Sequence, residues 1–165
     1  MIRRYWYWLV TGLLLALAFF ATDRFSLTDN LFGNRSIVIN NIAAPPLPTL
    51  EPARLARGAT LYAQQCASCH GVERQGAPNW QESLADGSLP APPHDSSGHT
   101  WHHKDELLIS IILNGGDLQS KSKMPAFKDK LSAADVGTIL DFLKSKWGQT
   151  EREFQWWMTT VSDQQ

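Results

Sequence analysis

From Pro52 onward, apolar positions recur at helical spacing in separate stretches, divided by runs rich in glycine, proline and polar residues. The stretch PARLARGATLYAQQC opens on a proline suited to a first turn and continues with good helix formers. Gly58 is its odd residue. A glycine costs about 1 kcal/mol relative to alanine inside a helix, so its presence predicts a close helix crossing on the Gly58 and Tyr62 face, the alternative being a tolerated surface glycine. In KDELLISIILNGG, Leu107, Leu108, Ile111 and Ile112 repeat at i, i+1, i+4 and i+5, and the Gly115-Gly116 pair ends the run. In SAADVGTILDFLKSKW, Ser132 is placed to cap a helix, Asp135 to complete a capping box, and Val136, Ile139, Leu140, Leu143 and Trp147 to form a core stripe. The tail GQTEREFQWWMTTVSDQQ predicts a short helix with Phe154, Trp157 and Val161 on one side, packed on the domain or set at a membrane interface.

Upstream the pattern changes twice. Residues 5–22 are uncharged and follow Arg3 and Arg4, with Tyr5, Trp6, Tyr7 and Trp8 at the start of the run. Such a run is close to the lower limit of about 17 residues for a membrane-spanning helix, and the arginines would keep its start in the cytoplasm. The Ala16-x-Ala18 step is a candidate signal-peptidase site, so residues 1–22 read as an uncleaved anchor or, alternatively, as an export signal. Either reading puts the remainder outside the cytoplasm. Residues 23–50 include a β-prone piece, Ile37 to Ile39, and end in Pro45, Pro46 and Pro48, which predicts an extended linker. The expected organisation is therefore anchor or signal at 1–22, linker at 23–50, helical domain at 51–148 and helical tail at 149–165. Within the domain, residues 71–101 read as a long loop, and a loop of that length calls for a reason such as wrapping a cofactor.

A chain of 165 residues accommodates one core with appendages. Its formal net charge of -1 argues against a nucleic-acid partner, because phosphate binding normally shows as a marked excess of lysine and arginine.

Both cysteines of the chain lie in QQCASCHG, with His70 directly after the second. A dithiol redox site would need a thioredoxin-like βαβ setting, which the pattern lacks. A structural zinc site wants four ligands, and Cys66 and Cys69 have no second knuckle. Cys-x-x-Cys-His reads instead as a site for covalent haem, in which two thiols add to the vinyl groups and the adjoining imidazole binds iron. On a helical turn, i and i+3 share a face, so Cys66 and Cys69 can hold one porphyrin edge while His70 reaches the metal.

One imidazole leaves a further axial position. Met124, in SKSKMPAFKD between two helices and beside Pro125, is the candidate for it, the alternative being a core gap-filler. Met1 and Met158 lie outside the domain. His94, His99, His102 and His103 remain. Each is a conceivable rival to Met124, and the cluster His99, His102 and His103 is also a candidate copper or zinc site, although it lacks a cysteine or carboxylate at ligand spacing. Solvated or hydrogen-bonded histidines are the default expectation there.

With these pieces placed, the chain resembles a class I cytochrome c of the membrane-anchored bacterial monohaem type, across residues 52–147. The resemblance implies an all-α cytochrome c fold of three to four helices around one covalently bound haem c. Gly58 and Tyr62 match the family's first-helix pattern, Cys66, Cys69 and His70 its haem site, Met124 its axial methionine, and the run ending at Trp147 its terminal helix, which crosses the first. The family also has a proline whose carbonyl accepts a hydrogen bond from the proximal imidazole. Of Pro90, Pro92 and Pro93, Pro92 is the expected one, and the bond would fix the ring and make it a better donor. His94 departs from the pattern, since similar proteins tend to carry an apolar residue there against the haem.

Iron held by His70 and Met124 has no vacant position, which suits one-electron transfer between Fe(II) and Fe(III) at a raised potential. The expected function is that of an electron carrier, not a catalyst in its own right, between periplasmic or membrane-bound respiratory redox partners. It would act at the periplasmic face of a bacterial inner membrane, or in the periplasm if residues 1–22 are removed. Lys121, Lys123, Lys128 and Lys130 bracket Met124 and form a candidate docking face for an acidic partner; a solvated charge run is the plainer reading. A haem-based gas sensor with a displaceable Met124, and a copper-handling protein using the histidine cluster, are the alternatives.

Overall fold

The first structured element lies inside the stretch that composition reads as an extended linker. In the computed structural model, which describes residues 36–116 and 122–161, β1 (Ile37–Ile39) pairs antiparallel with β2 (Ile42–Ala44), Ile37 opposite Ala44 and Ile39 opposite Ile42. The turn is made by Asn40 and Asn41 at φ 50° and 62°. Two positive-φ residues in a two-residue loop match the twist of a tight hairpin, and asparagine tolerates that conformation. The prolines follow the hairpin instead of extending it. The described residues from Ile37 onward form one compact unit. The predicted segment 1–22 lies outside the described residues, as does Lys121. Among the described residues, no helix is long and apolar enough to cross a membrane.

Five helices follow among the described residues. They are α1 (Pro52–Gln65), the single turn α2 (Ala67–His70), α3 (Asp105–Asn114), α4 (Ala133–Lys144) and α5 (Gln149–Val161), with a 3-10 turn at Thr100–His102 before α3. The domain is thus mostly helical, with one small hairpin added to the all-α expectation.

Helices α1 and α4 cross at Gly58. A Cβ built there would meet the Thr138 carbonyl oxygen at 2.0 Å and the Phe142 Cβ at 2.9 Å. Only a residue without a side chain permits that approach, which explains a glycine in the middle of a helix. Arg54 and Arg57 of α1 flank the crossing with ion pairs to Asp141, at 2.6 Å, and to Asp135. The capping box forms as expected, Ser132 Oγ accepting from the Asp135 N–H and Asp135 Oδ2 from the Ser132 N–H, both at 3.1 Å. The predicted stripe Val136, Ile139, Leu140, Leu143 and Trp147 is buried, together with Tyr62, Cys66, Leu108, Phe127 and Leu131.

Helix α3 turns its face one position from the expected one. Leu108, Ile109, Ile112 and Leu113 meet the core, whereas Leu107 is 42% exposed. Two apolar pairs, at i, i+1 and at i+4, i+5, define a broad stripe, and packing against α4 selects its edge. Gly115 ends the helix at φ +87°, where a Cβ would lie 2.9 Å from the Met124 carbonyl oxygen.

Helix α5 packs on the domain through a second apolar cluster of Trp157 and Val161 with Ile37 and Ala44 of the hairpin. Trp157 Nε1 donates to the Ile42 carbonyl at 3.0 Å and Trp156 Nε1 to that of Pro45 at 2.9 Å. Gln155, 1% exposed, donates through Nε2 to Asp105 Oδ1 at 2.6 Å and to the His103 carbonyl at 3.2 Å, while Lys144 Nζ bonds Asp105 Oδ2 at 2.6 Å. Asp105, at the start of α3, therefore holds α4 and α5 together. Phe154, expected on the buried side, is only half-buried.

Candidate functional site

The turn that carries the two thiols is continuous with α1. The Cys66 N–H closes the last turn of α1 on the Tyr62 carbonyl at 2.9 Å, and the His70 N–H returns to the Cys66 carbonyl at 3.0 Å. Tyr62 Oη then donates to the Gly71 carbonyl at 3.1 Å, tying the far end of the turn back to α1. Cys66 is buried, Cys69 exposed, and the two are not joined to each other. Burial, followed by the neighbouring Cys69, pushes the Cys66 thiol up to about 11, so it is protonated at neutral pH.

The chain between the turn and the 3-10 segment folds back on itself. The Gly76 N–H bonds the His70 carbonyl at 2.9 Å, the Ala77 N–H bonds that of Ala91 at 2.8 Å, and the His94 N–H bonds that of Arg74 at 2.8 Å. Gly76 sits so close to the Pro92-Pro93 peptide that a Cβ would meet the Pro93 nitrogen at 2.5 Å. This antiparallel run brings the Pro92 carbonyl oxygen 2.8 Å from His70 Nδ1, which donates to it. Pro92 is thus the proline that meets the imidazole. With Nδ1 so engaged, Nε2 is the ring nitrogen available to a metal. Burial lowers the His70 pKa, the Pro92 bond opposing it, so the ring is neutral as a ligand must be.

His94 stacks on His70, with ring centroids 3.8 Å apart and planes 19° from parallel. Its other neighbour is Tyr62, edge-on at 5.9 Å. Burial, then His70, then His99 hold the His94 pKa well below the usual imidazole value. The departure noted from sequence therefore places an uncharged aromatic ring, still carrying a buried polar Nδ1, beside the proximal histidine. Trp147 Nε1 donates to the His94 carbonyl at 2.9 Å, so the end of α4 also fixes this segment. Periodicity marks Trp147 only as core, and nothing in the sequence signals that bond.

Met124 is half-buried against the main core, between the end of α3 and Phe127. Its carbonyl accepts from the Gly116 N–H at 3.0 Å and its own N–H donates to Ser122 Oγ at 3.2 Å. Of the four lysines around it, Lys123 is paired with Asp86, while Lys128 and Lys130 are exposed. The remaining histidines enter aromatic contacts. His99 stacks on Trp80 at 5.5 Å and meets His103 edge-on at 5.6 Å, and His102 lies 3.7 Å from the Trp101 ring. Among the described residues, no group of three or more histidines, cysteines or carboxylates is gathered to hold a metal ion.

The donor set at Cys66, Cys69 and His70 fits one covalently bound haem c. Beside it, the buried Nδ1 of His94, whose ring stacks on His70, has no hydrogen-bond partner among the described residues, nor have the buried Nε of Arg74 and Nε1 of Trp101; buried polar atoms in that condition are rare unless something else satisfies them.

Residues 53–143 match the family model for cytochrome C oxidase, cbb3-type, subunit III. The cbb3-type cytochrome c oxidase subunit CcoP of Azospirillum sp. (strain B510) is 27% identical over 100 residues, a match covering 59% of this chain and 30% of that relative. The chain thus corresponds to less than a third of the curated relative's length. Because the family model spans more than half of the chain and includes the Cys66-to-His70 turn, the chain belongs to the cbb3-type cytochrome c oxidase subunit III family.

Proposed function

We propose that this protein is a monohaem c-type electron carrier of a respiratory oxidase system, working between periplasmic or membrane-bound redox partners. The observation that carries the reading is the Cys66-to-His70 turn with His70 Nδ1 bound to the Pro92 carbonyl, which orients one imidazole and leaves Nε2 for iron. Haem c, when bound, supplies a one-electron Fe(II)/Fe(III) couple. Cys66 and Cys69 would hold it through thioether bonds, and His70 and Met124 would be the residues that bind its iron. A thioether in that position favours the ferrous state, and a filled coordination sphere suits electron passage over substrate binding.

The carrier role, rather than catalysis, places the chemistry at partner proteins. Membrane attachment through residues 1–22 would keep the domain at the periplasmic face of a bacterial inner membrane. The similarity to a CcoP subunit supports a partner within a cbb3-type oxidase.

The visible spectrum of the purified ferrous protein, before and after carbon monoxide, tests the assignment. An unchanged spectrum of covalently bound haem c is expected. A rapid shift would mean an available sixth position and would move the reading to gas sensing, and a protein without covalent haem would overturn it altogether.

A further inference from the structure

A ring that donates one hydrogen bond is fixed in direction but not in tilt. The bond from His70 Nδ1 to the Pro92 carbonyl holds the nitrogen in place, while the plane of the imidazole can still rock about that axis. The second constraint is His94, whose ring lies face to face with that of His70 at 3.8 Å and 19°. Rotating His70 about its Nδ1···O axis would drive its edge into the His94 face.

His94 is itself immobilised. Its N–H is held by the Arg74 carbonyl at 2.8 Å and its carbonyl by Trp147 Nε1 at 2.9 Å, so both sides of its backbone are tied. Tyr62 stands edge-on to the ring at 5.9 Å, and Phe142 supports Tyr62 at 5.6 Å. Three elements converge on this residue: α1 on its ring through Tyr62, and the fold-back at Arg74 and the end of α4 on its backbone. A flat ring at van der Waals distance defines a plane, which a branched aliphatic side chain of similar volume does not.

We propose that His94 is a positioning residue that sets the plane of the proximal imidazole, acting with the Pro92 carbonyl through His70. The inference rests on the haem reading above. In low-spin ferric haem, the direction of an axial imidazole plane governs the splitting of the iron d orbitals, so it is visible in the electron paramagnetic resonance g values. Ligand orientation by neighbouring residues is a general means of tuning a metal site.

The test compares the full-length holoprotein with His94→Phe, which retains a flat ring, and His94→Leu, which does not. Covalent haem is first verified by mass, and ferric resonance spectra and reduction potentials are then recorded. The Phe variant is expected to keep the parent g values, and the Leu variant to show a shifted and broadened largest g value with a displaced potential. If the Leu variant does not retain haem, His94→Met serves as the non-aromatic comparison. Parent-like g values in the non-aromatic variant, or an equal shift in Phe and non-aromatic variants, would overturn the proposal even if thermal stability changed. Absence of covalent haem from the parent protein would instead defeat the haem reading on which it rests.

Discussion

The carbonyl oxygen of Thr138 occupies the space where Gly58 would carry a side chain, 2.0 Å from the Cβ position. The obstruction is backbone, which cannot swing aside as a flexible side chain does. Gly58→Ala should therefore destabilise the domain despite its better helix propensity, by about 1–3 kcal/mol, the usual cost of overpacking. Urea unfolding checks this, and a neutral or stabilising result would show that α1 and α4 separate easily.

Asp105 gathers three partners at the junction of α3, α4 and α5. Lys144→Met keeps the aliphatic stem and removes the cation, leaving the carboxylate with fewer donors in a partly buried place. A loss of about 1–3 kcal/mol is expected, as for a polar group deprived of its partner. Faster amide exchange in α5 should accompany it, because Gln155 shares the same carboxylate.

The pH dependence of stability carries a signature of the α4 cap. Hydrogen bonds from Arg57 and then Ser132 hold the Asp135 carboxyl at about 2, below its ordinary 3.8. A folded value below the unfolded one means that the unfolded chain takes up the proton first as pH falls. The stabilisation is fully present above pH 3.8 and fades as pH drops toward 2. The stability gap between the parent and Asp135→Asn, measured by urea unfolding, should therefore be open at pH 7 and nearly closed at the acid end. A gap independent of pH would contradict the ionic cap.

Charge on the face beside Met124 is distributed differently from its sequence. Lys123, itself exposed, is paired with Asp86, and among the described residues Lys128 and Lys130 are the other exposed lysines there. Oxidation of the ferrous protein by ferricyanide, an anionic probe, should slow as ionic strength rises, and the double variant Lys128→Glu, Lys130→Glu should flatten or invert that dependence. Lys123→Gln should change it less. A reversed order would place the field elsewhere.

Local periodicity made the Gly58 crossing, the Ser132–Asp135 cap and the α4 stripe readable, because each depends on residues within one or two turns. The edge of α3 was not, since Leu107 and Leu108 are equivalent until α4 chooses between them. The hairpin was obscured by neighbouring prolines, although Asn40-Asn41 between apolar residues was its signal. In the site, the thiol-and-imidazole turn is legible from its spacing alone. Pro92 required a resemblance to be considered, and the stack of His94 on His70 and the bond from Trp147 arise only when distant segments meet.

The hairpin and α5 have a practical consequence for dissecting the protein. A fragment cut at residues 51–148, where composition changes, would discard Ile37 and Ala44 along with Trp157 and Val161, and so lose the second apolar cluster whole. A fragment cut at one end only would bare half of that cluster to water. Trimming at Glu51 would strand two tryptophans whose indole nitrogens bond the Ile42 and Pro45 carbonyls, and such a product should associate with itself in solution. Any expression boundary for this domain belongs upstream of Ile37 and downstream of Val161.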